Sequence, residues 1–213
     1  MSPTRSYHHG NLKEALIRAA LELIRKRGPH GFTLREAARR AGVSHNAPYR
    51  HFRHRDELLA EVAAEGFERL TKFLNDAAAR GSNPLERFQL SGSGYVHFAL
   101  RFPEHFTVMF DRPEILKRSA HCKQAGEQAF AALLRFVRDC QDADVLPPGD
   151  GKTFALMAWS AVHGVAKLAV SGHLPFCTQE QVLEFTASLT DTLASGMIQT
   201  APKSDPSLPP RRE

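Results

Sequence analysis

The chain has 213 residues, 42% hydrophobic and 24% charged, with a formal net charge of +5. Those proportions belong to a globular chain and exclude a wholly disordered one. No uncharged apolar run reaches the roughly eighteen residues of a membrane span; the nearest, 154–170, is broken by Ser160, His163, Gly164 and Lys167. No apolar stretch follows Arg5, so no signal peptide and no membrane partner are expected. Cys122, Cys140 and Cys177 form no CxxC pair, which argues against a disulfide framework or a zinc knuckle and for a reduced, cytoplasmic protein.

The charge is uneven. Residues 1–55 hold 12 Lys and Arg against Glu14, Glu22 and Glu36, a formal +9, while the remainder carries −4. A compact basic segment on a mildly acidic body fits either a solvated face or a module that meets a polyanion.

Residues 1–10 read as a flexible basic arm. From Leu12 the apolar positions Leu16, Ala19 and Leu23 recur at helical spacing, and Gly28 and Pro29 end the helix. Thr33 and Glu36 have capping-box spacing for a two-turn helix whose buried face is Leu34, Ala37, Ala38 and Ala41. Gly42 and Val43 make a turn, and Ser44 is placed to cap a third short helix over 45–52, with Pro48 in its first turn. Asp56 then caps a connecting helix that runs to about residue 80. Further helices are predicted at 84–102, 103–110, 115–142, 151–172 and 178–198, separated by Pro103, Pro113, Pro147, Pro148 and Pro175. No stretch alternates like a strand. Residues 200–213 carry four prolines and no apolar face, and read as a disordered tail.

Two short helices joined at Ala41-Gly42-Val43-Ser44 are the pattern of a helix-turn-helix. Small residues on the first helix let the second pack across it, and the second presents a polar face to the major groove. The run from Phe32 to Phe52 combines the Thr33 cap, the Ala-Gly-Val-Ser turn and Tyr49-Arg50-His51-Phe52, and Arg55 precedes the fourth helix. Over about residues 9–65 it resembles the DNA-binding domain of TetR-family bacterial transcriptional regulators. The C-terminal half resembles the subset of that family with a Trp…His-Gly element, here Trp159, His163 and Gly164, and a Phe-Ala-Leu stretch at 98–100.

The resemblance implies an all-α protein: an N-terminal three-helix helix-turn-helix domain (11–55), a connecting helix (56–80) and a larger helical ligand-binding and dimerisation domain (81–199). It implies that His45, Asn46 and Ala47 face base edges. Thr33, Ser44, Tyr49, His51 and Arg55 match phosphate-contacting positions, and Arg35 reaches either phosphate or base. These side chains suit the roles: Asn and His donate to and accept from base edges, Ala meets a thymine methyl, and hydroxyls and cations hold phosphates. The arm residue Arg5 is a candidate for the minor groove. The recognition segment has no Arg or Lys set for bidentate contact with guanine unless Arg50 turns inward.

The faces Phe154, Ala158, Ala161, Val165 and Val182, Phe185, Leu189, Leu193 exceed what one thin bundle buries, so a four-helix homodimer interface is expected. The large side chains Phe88, Tyr95, Phe98, Phe106, Met109 and Phe110 read either as core or as walls of an apolar effector pocket, with Trp159 and His163, one turn apart, as a further wall. No short ligand spacing supports a metal, no cofactor is expected, and no activated nucleophile, carboxylate pair or phosphate loop supports an enzyme. The expected function is a repressor. It binds a palindromic double-stranded DNA operator as a homodimer, and a small apolar effector releases it. The alternatives are an activator of the same fold and a non-specific architectural DNA-binding protein.

Overall fold

A computed structural model describes residues 10–111 and 119–199. Residues 1–9 of the expected arm, with Arg5, and the expected tail lie outside the described residues, while Gly10 opens the first helix. Eight α-helices and one 3₁₀ turn make up the described elements, and none is a strand.

Helix α1, Gly10–Arg27, buries Leu12, Leu16, Ala20 and Leu23. Helix α2, Leu34–Arg40, begins on the predicted capping box: Glu36 N–H donates to Thr33 Oγ1 at 3.2 Å, and Thr33 N–H donates to Glu36 Oε2 at 2.9 Å. It ends in a Schellman motif, with Val43 N–H donating to Ala38 O and Gly42 N–H to Arg39 O. Gly42 takes φ +71°, which a side chain would resist.

The predicted third helix over 45–52 is instead a 3₁₀ turn, Ala47–Arg50. Pro48 has no N–H, so the Ser44 carbonyl cannot receive an i+4 bond, and Ala47 N–H, Tyr49 N–H and His51 N–H bond three residues back. Asn46, not Ser44, is the N-cap, and its side chain makes no capping bond.

Helix α3, Arg55–Ala78, has 24 residues and is about 36 Å long at 1.5 Å per residue. His54 is its N-cap, so Asp56 stands in the first turn, where a carboxylate favours the helix dipole, and not at the cap. Helices α4 (Pro84–Arg101), α5 (Pro103–Asp111), α6 (Ala120–Asp142), α7 (Gly151–Val170) and α8 (Gln179–Gln199) follow. The helix expected from 115 is described from Ala120, where Ser119 Oγ accepts from Cys122 N–H; 115–118 lie outside the described residues.

Helix α3 is the spine. Its upper part packs on α4, α6 and α5, and its foot packs on α1. The small α5 also touches α1, so the two parts of the chain meet through both helices. Helix α7 is long and apolar enough to cross a membrane by length and composition, and it packs on α4, α6 and α8.

Candidate nucleic-acid interface and apolar cavity

The turn after α2 sets out a polar and basic face. Thr33, Arg35, Ser44, His45, Asn46, Tyr49 and His51 are exposed, and Ala47 is half-buried against the core. Tyr49 keeps 49% of its surface open, while its neighbours Pro48 and Phe52 are buried and anchor the turn. Arg35, Arg39, Ser44 and His45 border one shallow depression. Arg39 was not singled out from the sequence; its spacing of one helical turn from Arg35 is the signal that places both on one face.

Other basic residues of the segment are engaged within the protein. Arg27 donates to Glu36 at 2.8 Å, and Arg40 pairs with Glu22, which locks α2 against α1. Arg55, expected at a phosphate, is half-buried. Its Nη1 donates to the carbonyls of His30 at 3.0 Å and Phe32 at 3.4 Å, and Asp56 lies 3.6 Å from its Nη2. It therefore ties the loop before α2 to the foot of α3.

In the larger part, a cavity of about 690 Å³ opens between α3, α4, α5, α6, α7 and α8. Phe88, Tyr95, Met109, Phe110 and Trp159 line it, together with Phe67, Leu70 and Leu74 of α3 and Phe130, Leu133 and Leu134 of α6. Three expected wall residues do not line it. Phe98 is fully buried behind the wall, its ring 6.0 Å from Phe73 and 5.8 Å from Phe102. Phe106 fills the space between Phe110 and His163, at 5.1 and 5.4 Å. His163 is occupied by Tyr95: the hydroxyl and Nδ1 share a hydrogen bond at 2.8 Å, and Trp159 Nε1–H donates to that same hydroxyl at 3.1 Å. Burial pushes the Tyr95 hydroxyl up and holds His163 below the ordinary histidine value, which favours the neutral imidazole.

Residues 16–62 match the profile of "Bacterial regulatory proteins, tetR family", and residues 88–193 match "Tetracyclin repressor-like, C-terminal domain". The chain belongs to the TetR family. It is similar to an HTH-type transcriptional repressor of Mycobacterium tuberculosis, 31% identical over 98 residues, which covers 42% of this chain and 52% of that protein. The chain thus spans about half the length of the curated relatives it matches. A solved Rhodococcus sp. RHA1 protein of unknown function is 36% identical, with a TM-score of 0.80 over 92% of this chain and all of that one. A TetR-family regulatory protein from Rhodococcus RHA1 shares the fold at 18% identity, with a TM-score of 0.69 over 87% of this chain and 96% of that one.

In this TetR-family chain, the short α5 stands between the cavity and the helix-turn-helix. Its Met109 and Phe110 line the cavity, while its Glu104 accepts from Arg25 of α1. His105 is buried, with Nε2 3.7 Å from Glu65 of α3. The His105 ring and the Arg69 guanidinium hold the Glu65 carboxyl at about 2, against the opposing effect of burial. Among the described residues, no group of three His, Cys, Asp or Glu side chains is placed to hold a metal ion.

Proposed function

We propose that the protein is a ligand-responsive repressor that binds a palindromic DNA operator as a homodimer and leaves it when a small apolar molecule fills the cavity. The observation that carries this reading is the position of α5. One nine-residue helix lines the cavity and holds both α1 and α3, so a ligand that moves Met109 and Phe110 moves the base of the helix-turn-helix. A ligand acts only through its preference for the state that cannot bind DNA, and DNA must weaken ligand binding by the same factor.

The exposed polar face from Arg35 to His51 supports DNA contact, with Asn46 and His45 toward base edges and Thr33, Ser44 and Tyr49 toward phosphates. One short recognition segment reads few bases, and a two-fold dimer doubles the site. Leu156, Met157 and Leu168 of α7 and Phe185 and Ile198 of α8 are exposed, which supports a homodimer interface on those two helices. Repression is favoured over activation because the curated mycobacterial relative is a transcriptional repressor.

Capture of fragmented genomic DNA by the purified protein, followed by anisotropy with the best fragment across a salt series, tests the proposal. An enriched near-palindrome bound far more tightly than scrambled DNA is expected. Salt-sensitive binding without sequence preference would replace the proposal with the architectural reading.

A further inference from the structure

We propose that the cavity takes a long-chain carboxylate, a hydrocarbon body carrying one terminal anion, and that Lys152 holds the head group. This rests on reading the cavity as the effector site.

The inner walls are mostly apolar and favour a hydrocarbon body. Phe67, Phe88, Phe110 and Phe130 are aromatic hydrocarbon, and the polar groups beside them are already used. The Tyr95 hydroxyl sits between His163 and Trp159, Ser91 Oγ donates to Phe88 O at 2.6 Å, and Thr190 Oγ1 donates to Ala187 O at 2.9 Å. The Ser91 and Thr190 protons are spent on backbone carbonyls, so a ligand carbonyl placed beside them finds no donor, and a buried polar group without a partner costs about 1–3 kcal/mol.

The walls are also long. On α6 they run from Lys123 to Leu134, and on α7 from Lys152 to Val162, which at 1.5 Å per residue is a trough of about 16 Å. The two ends differ in charge. At one end Lys123 faces Glu127 of the same helix at 3.8 Å, so that cation is compensated. Lys152 stands at the other end: a Cβ on its neighbour Gly151 would lie 3.5 Å from Leu134 Cδ1. Among the described residues the Lys152 ammonium makes no hydrogen bond or ion pair. The nearby Asp150 carboxylate is taken up by the start of α7, accepting from Lys152 N–H at 3.0 Å and Thr153 Oγ1 at 2.8 Å. An apolar trough whose end carries a lysine outside any close ion pair, coupled only through space to Asp150, fits a chain that terminates in an anion.

Trp159 is the chain's sole tryptophan and lines the trough, so its emission reports occupancy in the 213-residue chain. Dodecanoate, 1-dodecanol and dodecyltrimethylammonium are titrated into the native chain and into Lys152→Met and Lys123→Met, each checked for retained helical content. Dodecanoate is expected to bind about fivefold more tightly than the alcohol, the scale of an ion pair at an exposed lysine, and the ammonium most weakly. Lys152→Met should bring dodecanoate level with the alcohol, and Lys123→Met should leave the preference intact. Equal binding of all three ligands would overturn the carboxylate and leave the cavity reading standing. Loss of the preference in Lys123→Met alone would overturn the role of Lys152. No change in Trp159 emission with any ligand would overturn the cavity reading itself, and the carboxylate with it.

Discussion

Glu104 on α5 accepts a hydrogen bond from Nε of Arg25 on α1 at 2.5 Å. The carboxylate side is largely enclosed, with 12% of the side chain exposed, while the Arg25 side chain is 72% exposed and lies over it. The glutamate is thus the fixed partner, and the arginine brings the end of α1 to it.

That pair is the contact to cut when testing how the cavity speaks to DNA. Glu104→Gln keeps the shape and removes the charge. Its melting temperature should stay near that of the native protein, because the Arg25 end of the pair lies in solvent and the glutamine still accepts the hydrogen bond. DNA affinity without ligand should be retained, while the weakening of DNA binding by a cavity ligand should shrink several-fold. Anisotropy with operator, with and without ligand, reads both quantities. Unchanged ligand response would show that α5 acts on the helix-turn-helix through α3 alone.

Gly66 lets α5 sit against α3. A Cβ there would stand 2.5 Å from Met109 Sδ and 3.2 Å from His105 Cβ. Overpacking costs about 1–3 kcal/mol, and replacing a mid-helix glycine by alanine returns about 1 kcal/mol, so Gly66→Ala should destabilise by about 0–2 kcal/mol. The easiest relief is for Met109 to swing into the cavity it lines, so ligand affinity should fall together with stability. Gly42→Ala separates backbone from packing. Nothing lies within 4 Å of its added Cβ, yet φ is +71°, and the left-handed conformation alone should cost about 1–2 kcal/mol. Denaturant melts of the two variants, with a ligand titration of the first, check both.

The parts of this architecture that local chemistry decides were legible in the sequence. The Thr33–Glu36 capping box and the Gly42 stop depend on neighbours within five residues, and both form as the spacing predicts. The segment 45–52 was harder, because Ser44 reads as the cap of a helix there while Pro48 withdraws the one donor that an α-turn needs. The cavity was the least legible. Phe67, Leu70 and Leu74 form an ordinary apolar stripe on α3, and only tertiary packing shows that this stripe faces open space while Phe98 and Phe106 do not. Arg55 shows the same limit, since its tie to the His30 and Phe32 carbonyls is not visible in its basic character.

Stability should depend on pH through His121 and Glu65 in opposite directions. His121 bridges Glu68 at 2.9 Å and Glu61 at 3.2 Å, and Glu61 also holds Lys13 of α1 at 2.7 Å. Glu68 first, and then Glu61, raise the His121 value above that of the unfolded chain. Its contribution is therefore complete below the ordinary histidine value and is lost as pH rises through the raised one. Glu65, held at about 2, contributes above the usual carboxylate range and loses that contribution as pH falls toward 2. Melting curves from acid to mildly alkaline pH should show His121→Gln flattening the alkaline decline and Glu65→Gln flattening the acid one. A His121→Gln profile that parallels the native one would show that the bridge adds no stability.

Arg55 and Asn46 separate folding from recognition. Arg55→Ala removes charged donors to two backbone carbonyls and should cost about 1–3 kcal/mol of stability, with DNA affinity falling only as the fold loosens. Asn46 is exposed and makes no capping bond, so Asn46→Ala should leave the melting temperature unchanged. It should lower the preference for operator over scrambled DNA by about 1–3 kcal/mol if Asn46 reads a base edge. Loss of affinity for both DNAs alike would make Asn46 a phosphate contact.

The dimer proposal turns on Met157, which is 55% exposed in the middle of α7. It tests the interface more cleanly than Phe185, whose ring already has a partner in Phe176 at 5.3 Å within the same chain. A stable interface buries about 800 Å² per partner and excludes uncompensated charge from its centre. Met157→Glu puts a carboxylate at that centre while leaving the buried side of α7, with Ala155, Ala158 and Val162, untouched. Sedimentation at micromolar concentration should therefore show a folded monomer for the variant where the native chain is a dimer. The helix-turn-helix is unaltered in that monomer, so weak, salt-dependent binding to any DNA should persist while the preference for a palindrome is lost. A Met157→Glu variant that stays dimeric would move the interface off this face of α7.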